Sequence, residues 1–229
     1  MFNVSNLASG YGQSQVIHDL DFTVDKQEIV AVMGRNGMGK TTLFKTLMGI
    51  LPTRGGNVTI DGTEISGMES HERVANGIAY VPQGRMIFPS MTVLENIQTG
   101  LPASANGKVP EELYALFPVL YDMKGRRGGN LSGGQQQQLA IARALATNPK
   151  VLLLDEPTEG IQPSIIKDIA KSLKEIRKIR ELTIIVSEQV LSFTLEIADR
   201  FFVIDKGRFA YEDTRANVDA ATISRYLSV

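Results

Sequence analysis

The sequence contains no cysteine, which excludes disulfide bridges and thiolate metal sites. Only two histidines occur, His18 and His71, and they lie too far apart in sequence to suggest a ligand cluster. Neither sign of charge is in real excess. The 24 Lys and Arg oppose 25 Asp and Glu, for a net charge of −1. That balance leaves no global basic footprint for nucleic acid. No window approaches the apolar length that a membrane span needs. The start, Met1-Phe2-Asn3-Val4, lacks the basic segment and long apolar run of a signal peptide. Low-complexity stretches and solenoid-period repeats are also missing. The expectation is a soluble, cytoplasmic chain. With 229 residues and 43% apolar content, it has material for one large domain, with a core and room for a subdomain.

What is present is a phosphate-binding pattern. Ile29-Val30-Ala31-Val32-Met33 is short and apolar and predicts a buried strand. Gly34-Arg35-Asn36-Gly37-Met38-Gly39-Lys40-Thr41 follows, and then Leu43, Phe44, Leu47 and Met48 at helical spacing. Strand, glycine-rich loop and helix form the context a P-loop requires. The glycines let the loop wrap tightly and turn N–H groups inward. The helix start adds unpaired N–H groups and the positive end of its dipole. Lys40 is placed to reach β- and γ-phosphates, and the Thr41 hydroxyl to sit on a magnesium ion.

Three further stretches carry chemistry. Gly77 to Gln83 predicts a core strand whose pairing stops at Pro82, leaving Gln83 at the carboxyl edge, where open α/β sheets bind ligands. Gln83 is there a candidate to touch magnesium or an attacking water. Val151-Leu152-Leu153-Leu154-Asp155-Glu156 predicts an apolar strand ending in two carboxylates, the Walker B arrangement. Asp155 is a candidate magnesium ligand, and Glu156 is a candidate to polarise water for attack on a γ-phosphate. Leu131-Ser132-Gly133-Gly134-Gln135 opens another helix and offers a second anion site, without a lysine.

The remainder is scaffold. Strands are expected over Phe2–Val4 and Val16–Val24, with a turn at Ser9–Gly12 that carries Tyr11. Residues 84–130 read as a mainly helical insertion. Within it, Thr92 and Glu95 have capping-box spacing, and Glu111 to Leu120 is helix-like, limited by Pro118. Met86-Ile87-Phe88-Pro89 is an apolar loop, either a partner surface or a small core under the loop. A strand over Leu182–Val186, a hairpin across Lys206-Gly207 and a helical tail complete the chain.

A P-loop, a glutamine-ended strand, Leu131 to Gln135 and Val151 to Pro157, in that order, resemble the ATP-binding cassette (ABC) proteins along essentially the whole chain. The resemblance implies an α/β fold: a P-loop NTPase (RecA-like) core with an N-terminal antiparallel β subdomain and a helical insertion, about residues 84–150. All of it would form a single ABC ATPase domain over 1–229. It implies ATP and Mg2+ as ligands, with ATP hydrolysed. Tyr11 would stack on adenine. Gly34, Arg35, Asn36, Gly37, Gly39, Lys40, Thr41 and Thr42 would wrap the phosphates. Thr41, Gln83 and Asp155 would serve the metal, and Glu156 would be the catalytic base. Ser132, Gly133, Gly134 and Gln135 would close on the ATP of another cassette. The implied partners are a second ABC ATPase subunit, transmembrane permease subunits docked near residues 86–89 and, indirectly, an extracytoplasmic substrate-binding protein. The implied location is peripheral, on the cytoplasmic face of the plasma (inner) membrane.

Two positions depart from the family's common pattern. Family members usually carry a histidine where Gln189 stands, after Glu188. Glutamine can hydrogen-bond a γ-phosphate but does not titrate near neutrality. The stretch after Walker B, usually ending in aspartate, reads Thr158-Glu159-Gly160-Ile161-Gln162-Pro163. These departures look like the smaller ATPase of importers for branched-chain amino acids and their urea relatives. The string Gly34 to Lys40, with Gln135 to Gln138 and Glu159 to Ile166, is most similar to the urea branch. Import of urea or short amides is therefore the first expectation, and branched-chain amino acids the alternative. A companion ATPase carrying the histidine would make a heterodimer, with a homodimer as the alternative. Outside transport, a soluble ABC ATPase or a regulatory module that binds nucleotide without turnover remains open. Glu156 argues against the module, since a purely regulatory site needs no base.

Overall fold

Buried strands dictate the architecture. Residues 1–228 are described by the computed structural model. The chain begins with β1 (Phe2–Tyr11), β2 (Ser14–Val24) and β3 (Ile29–Met33), then α1 (Lys40–Leu47), β4 (Gly55–Ile60) and β5 (Thr63–Glu64). Next come α2 (Ser70–Ala75), β6 (Ile78–Val81), α3 (Val93–Gln98), α4 (Glu111–Leu116), α5 (Pro118–Asp122) and α6 (Gly133–Ala146). The last part holds β7 (Val151–Asp155), α7 (Pro163–Ile179), β8 (Thr183–Glu188), α8 (Leu191–Ile197), β9 (Arg200–Asp205), β10 (Arg208–Thr214) and α9 (Ala220–Leu227).

Two sheets form. The larger has the order β10-β9-β3-β8-β7-β6, and only β10 runs antiparallel to its neighbour. Every residue of β3, β7 and β8 is buried, as expected of parallel strands covered on both faces. Alternate side chains feed different cores. Ile29, Ala31 and Met33 join Leu152 and Leu154 under the helices of the middle segment. Val30 and Val32 join Leu153 and Ile185 on the other face, against Leu43, Phe44 and Leu47 of α1. The smaller sheet, β2-β1-β4-β5, is antiparallel and packs Phe2, Val4, Val58 and Ile60 onto that same core. The P-loop helix is thus held between two sheets, so its N-terminus is fixed in space.

Three expectations change. The stretch Ser9–Tyr11 belongs to β1, with Tyr11 paired to Ser14, and the turn is Gly12-Gln13. Ser9 is fully buried and its hydroxyl bonds Thr46 and the Pro52 carbonyl, which ties the strand to α1. The helix expected from Glu111 to Leu120 is two helices, because Phe117 leaves helical geometry and Pro118 begins α5. The strand expected over Gly77–Gln83 is shorter, Ile78–Val81. Between β6 and β7 no further strand of the core sheet occurs among the described residues.

Arg73 anchors this frame unseen by sequence patterning. It is 1% exposed and donates to the carbonyls of Thr46 and Leu47 at 2.8 and 2.9 Å, closing the C-terminal end of α1. The basic end of α7 is spent internally as well, Arg177 on Asp199 and Arg180 on Glu112.

Candidate functional site

The carboxyl ends of the parallel strands converge. Met33 stands beside Glu188, Asp155 beside Ser187, and Val81 beside Leu154. The loops that follow therefore bring the P-loop, Gln83, Glu156 and Gln189 to one edge. A cleft of 320 Å³ opens there, lined by Asn36, Gly37, Gly39, Lys40, Thr41 and Thr42 on one side and by Gln83 and Glu156 on the other.

The P-loop is shaped by backbone that only glycine tolerates. Gly39 has φ 111° and starts α1, and a side chain on Gly34 would stand 2.6 Å from the Ile204 carbonyl. No side chain caps α1, so its first N–H groups remain available to an anion. By contrast, Ser132 and Gln135 cap α6 with a reciprocal capping box. Lys40 is 4% exposed, and its three donors are spent on the carbonyls of Gly34 (2.7 Å) and Arg35 (3.1 Å) and on Glu156 Oε1 (3.1 Å).

Glu156 lies just past β7 with φ 49°, an uncommon value for a residue with a side chain. That turn swings its carboxylate out of the strand toward Lys40. Gln189 Nε2 donates to Glu156 Oε1 at 3.1 Å and to Asn36 Oδ1 at 2.9 Å. Gln83 Nε2 donates to Glu156 Oε2 at 3.3 Å and to Glu159 at 3.1 Å. Four sequence-selected residues, Lys40, Gln83, Glu156 and Gln189, thus form one network around the cleft.

Asp155 sits beneath, 1% exposed, accepting hydrogen bonds from Ser187 Oγ and, at 3.1 Å, from Tyr80 OH. Burial pushes its carboxyl above the ordinary range, against the pull of the hydroxyls of Ser187, Thr41 and Tyr80. Burial and the neighbouring Asp155 also push the Tyr80 phenol up. Among the described residues no cation pairs with Asp155, and no group of three or more His, Cys, Asp or Glu gathers to hold a metal. One desolvated carboxylate beside hydroxyls fits Mg2+, a hard ion that takes oxygen ligands and few protein groups when phosphates supply the rest.

The sign of that shift gives a test. A carboxyl raised in the folded state contributes its stability below about pH 4 and loses it as pH rises through the folded value. In its ionised form Asp155 therefore weakens the fold. Asp155→Asn is expected to raise the Tm at pH 7, by roughly 2–4 °C for each kcal/mol recovered, and to give no gain near pH 3. Thermal unfolding of both proteins at both pH values checks this. A lower Tm at pH 7 would refute the desolvation argument.

Other sequence-selected residues lie elsewhere. Tyr11 is 46% exposed at the tip of the β1–β2 hairpin and does not line the cleft. Arg35 contributes its carbonyl to Lys40, while its guanidinium reaches the Ser228 carbonyl at 3.5 Å. Ser132, Gly133, Gly134 and Gln135 line a different cavity, of 570 Å³, which shares no lining residue with the cleft. In the apolar loop, Met86 and Phe88 are exposed whereas Ile87 packs on the core. Asn96, fully buried, shapes this loop by donating to the Phe88, Met91 and Thr92 carbonyls and accepting from Phe88 N. Arg143 holds the Met86 carbonyl at 2.8 Å and lies over the Phe88 ring. Asn96 and Arg143 belong to no motif, and Glu188 was marked only by its place before Gln189. Only Glu188 had a usable signal, an acid closing an apolar strand, the same signal that marks Asp155.

The fold and the cleft define a P-loop nucleotide triphosphatase, with an uncapped helix start and a Walker B carboxylate facing the P-loop lysine. The sequence pattern of the family described as ABC transporter matches residues 17–159. The chain is 38% identical over 219 residues to the high-affinity branched-chain amino acid transport ATP-binding protein BraG of Pseudomonas aeruginosa, covering 94% of each chain. It is 36% identical to LivF of Archaeoglobus fulgidus, a probable branched-chain amino acid transport ATP-binding protein, covering 93% of this chain and 92% of that one. The crystal structure of an ATP-binding cassette of an ABC transporter in its ADP conformation superposes with a TM-score of 0.83 at 27% identity, covering 100% of this chain and 99% of that chain. This chain belongs to the ABC transporter family, as its ATP-hydrolysing subunit.

Proposed function

We propose that the chain is the ATPase subunit of an importer for branched-chain amino acids. The observation that carries this reading is the near-full-length similarity to BraG and LivF, two proteins named for that cargo. Import of urea or short amides is the second reading, supported by Gln135 to Gln138 and Glu159 to Ile166. Cargo recognition lies outside this chain in either case.

The geometry of the cleft supports the following roles. The P-loop N–H groups and Lys40 hold the β- and γ-phosphates. Glu156 takes the proton of the attacking water as its oxygen bonds the γ-phosphorus and the bond to ADP breaks. Thr41, Gln83 and Asp155 are the groups that would hold Mg2+, which neutralises phosphate charge when bound. Gln189, already beside Glu156, donates to the γ-phosphate. Tyr11 supplies an exposed ring for adenine. Ser132 to Gln135 line a different cavity from this cleft, which supports their serving ATP held by a second cassette. With Gln189 in the histidine position, a heterodimer with a histidine-bearing companion is the favoured assembly.

The membrane partner fits a second surface. A groove of 760 Å³ with a largely apolar lining runs past Met48, Ile50, Val74, Met86 and Phe88. No helix among the described residues is long and apolar enough to cross a membrane. Transmembrane permease subunits docking in this groove would hold the chain peripherally, on the cytoplasmic face, with the helical segment 84–150 as the coupling subdomain. An extracytoplasmic binding protein would act only through them.

Uptake of labelled leucine and labelled urea by cells lacking the gene tests the cargo. Loss of leucine uptake alone, restored by wild type and not by Glu156→Gln, is the expected result. Loss of urea uptake alone would replace the cargo and keep the mechanism. No change in either would contradict the transport reading.

A further inference from the structure

Glu188 ends β8 with 2% exposure, one register step across from Met33, where the P-loop begins. Among the described residues no Lys, Arg or His pairs with it. Four donors satisfy its carboxylate instead. Oε1 accepts from Thr158 N at 3.0 Å and Thr158 Oγ1 at 2.5 Å. Oε2 accepts from Gln189 N at 2.8 Å and Val190 N at 3.1 Å. Each oxygen therefore serves one loop, and the acceptor capacity of a carboxylate is filled.

We infer that Glu188 is a positioning residue that locks the loop carrying Gln189 and the loop beginning at Thr158 into one rigid unit. A buried carboxylate with no cation nearby tolerates no lost donors. If either loop moved alone, two of the four would go. The two loops have different duties. One aims Gln189 Nε2 at Glu156 and Asn36. The other continues through Glu159, which accepts from Gln83, to Gly160 and Gln162, which line the cavity beside Ser132 to Gln135. One carboxylate thus ties the orientation of Gln189 in the cleft to the position of a loop outside it. This rests on the reading of Glu156 and Gln189 given above.

Glu188→Gln is nearly the same size but offers one acceptor oxygen, so its amide N–H2 faces the N–H donors of one loop. Positioning errors of about 1 Å cost roughly 10²-fold in rate. The expected result is kcat lower by about 10–100-fold, with KM for ATP within about twofold of wild type. The decisive comparison is made in a Gln189→Ala background. There Glu188→Gln adds less than it costs in the wild-type background, since one of the two loops through which it acts no longer carries Gln189. If the losses multiply, or if KM rises while kcat holds, the positioning role is wrong. Thr158→Val removes a single donor and serves if Glu188→Gln does not fold, with the same non-additivity expected. Phosphate release by Glu156→Gln, measured alongside, separates the two claims. Unchanged release there contradicts the underlying reading, whereas lost release with multiplying effects contradicts only this one.

Discussion

Glu156→Gln is expected to slow phosphate release by roughly 10²–10⁴-fold, the range for a missing general base. The substitution keeps the shape of the side chain and one acceptor oxygen, so the donors that converge on it from Lys40, Gln83 and Gln189 lose a charge rather than a neighbour. What disappears is the ability to take a proton from water. The P-loop N–H groups and Lys40 remain in place, so phosphate binding is retained. Multiple-turnover phosphate release by this chain with its companion cassette measures it. A rate within about threefold of wild type falls far outside that range and would assign hydrolysis to another group.

Lys40→Met is expected to lower ATP affinity by roughly 10–100-fold. A charge-assisted hydrogen bond to phosphate is worth about 1.5–3 kcal/mol, and each 1.4 kcal/mol is tenfold. The buried ammonium holds Glu156 and two P-loop carbonyls, and on the proposed role phosphate oxygens compete for the same donors. Methionine keeps the apolar stem and supplies no donor. Thermal shift gives a direct readout. ATP at a hundredfold excess over its Kd stabilises the wild type by about 2.7 kcal/mol, and a hundredfold weaker complex by about 0.4 kcal/mol. An undiminished ATP-induced shift would mean that Lys40 does not bind phosphate.

The strands of the core were legible because burial on both faces leaves uninterrupted apolar runs. Ile29 to Met33 is observed with the bounds its composition suggests, and the strand from Val151 ends at Asp155, one residue before the expected Glu156. The capping box at Thr92 and Glu95 was legible for a local reason, since both of its bonds form within one helical turn. Long-range polar contacts were not legible in this way. Arg73 reads as one more surface charge on a polar helix, yet it closes the end of a helix 26 residues earlier in the chain. Asn96 hides inside α3, and its four bonds to the preceding loop depend on where that loop folds back. Ser9 to Tyr11 looked like a turn because glycine and tyrosine punctuate it, whereas tertiary pairing with Ser14 and Gln15 extends the strand. In the site, motif spacing named the P-loop and both Walker B acids. It did not show that Lys40 and Glu156 hold each other.

That pairing gives the most direct test of the account, in which one cleft both binds and hydrolyses ATP as Lys40 exchanges Glu156 for phosphate. ATP affinity and phosphate release should be measured side by side for wild type and Glu156→Gln. The account predicts opposite movements: turnover falls, while affinity rises because a competing carboxylate and its repulsion of the γ-phosphate are gone. Turnover and affinity both unchanged would contradict it, and would assign the chemistry to a group other than Glu156.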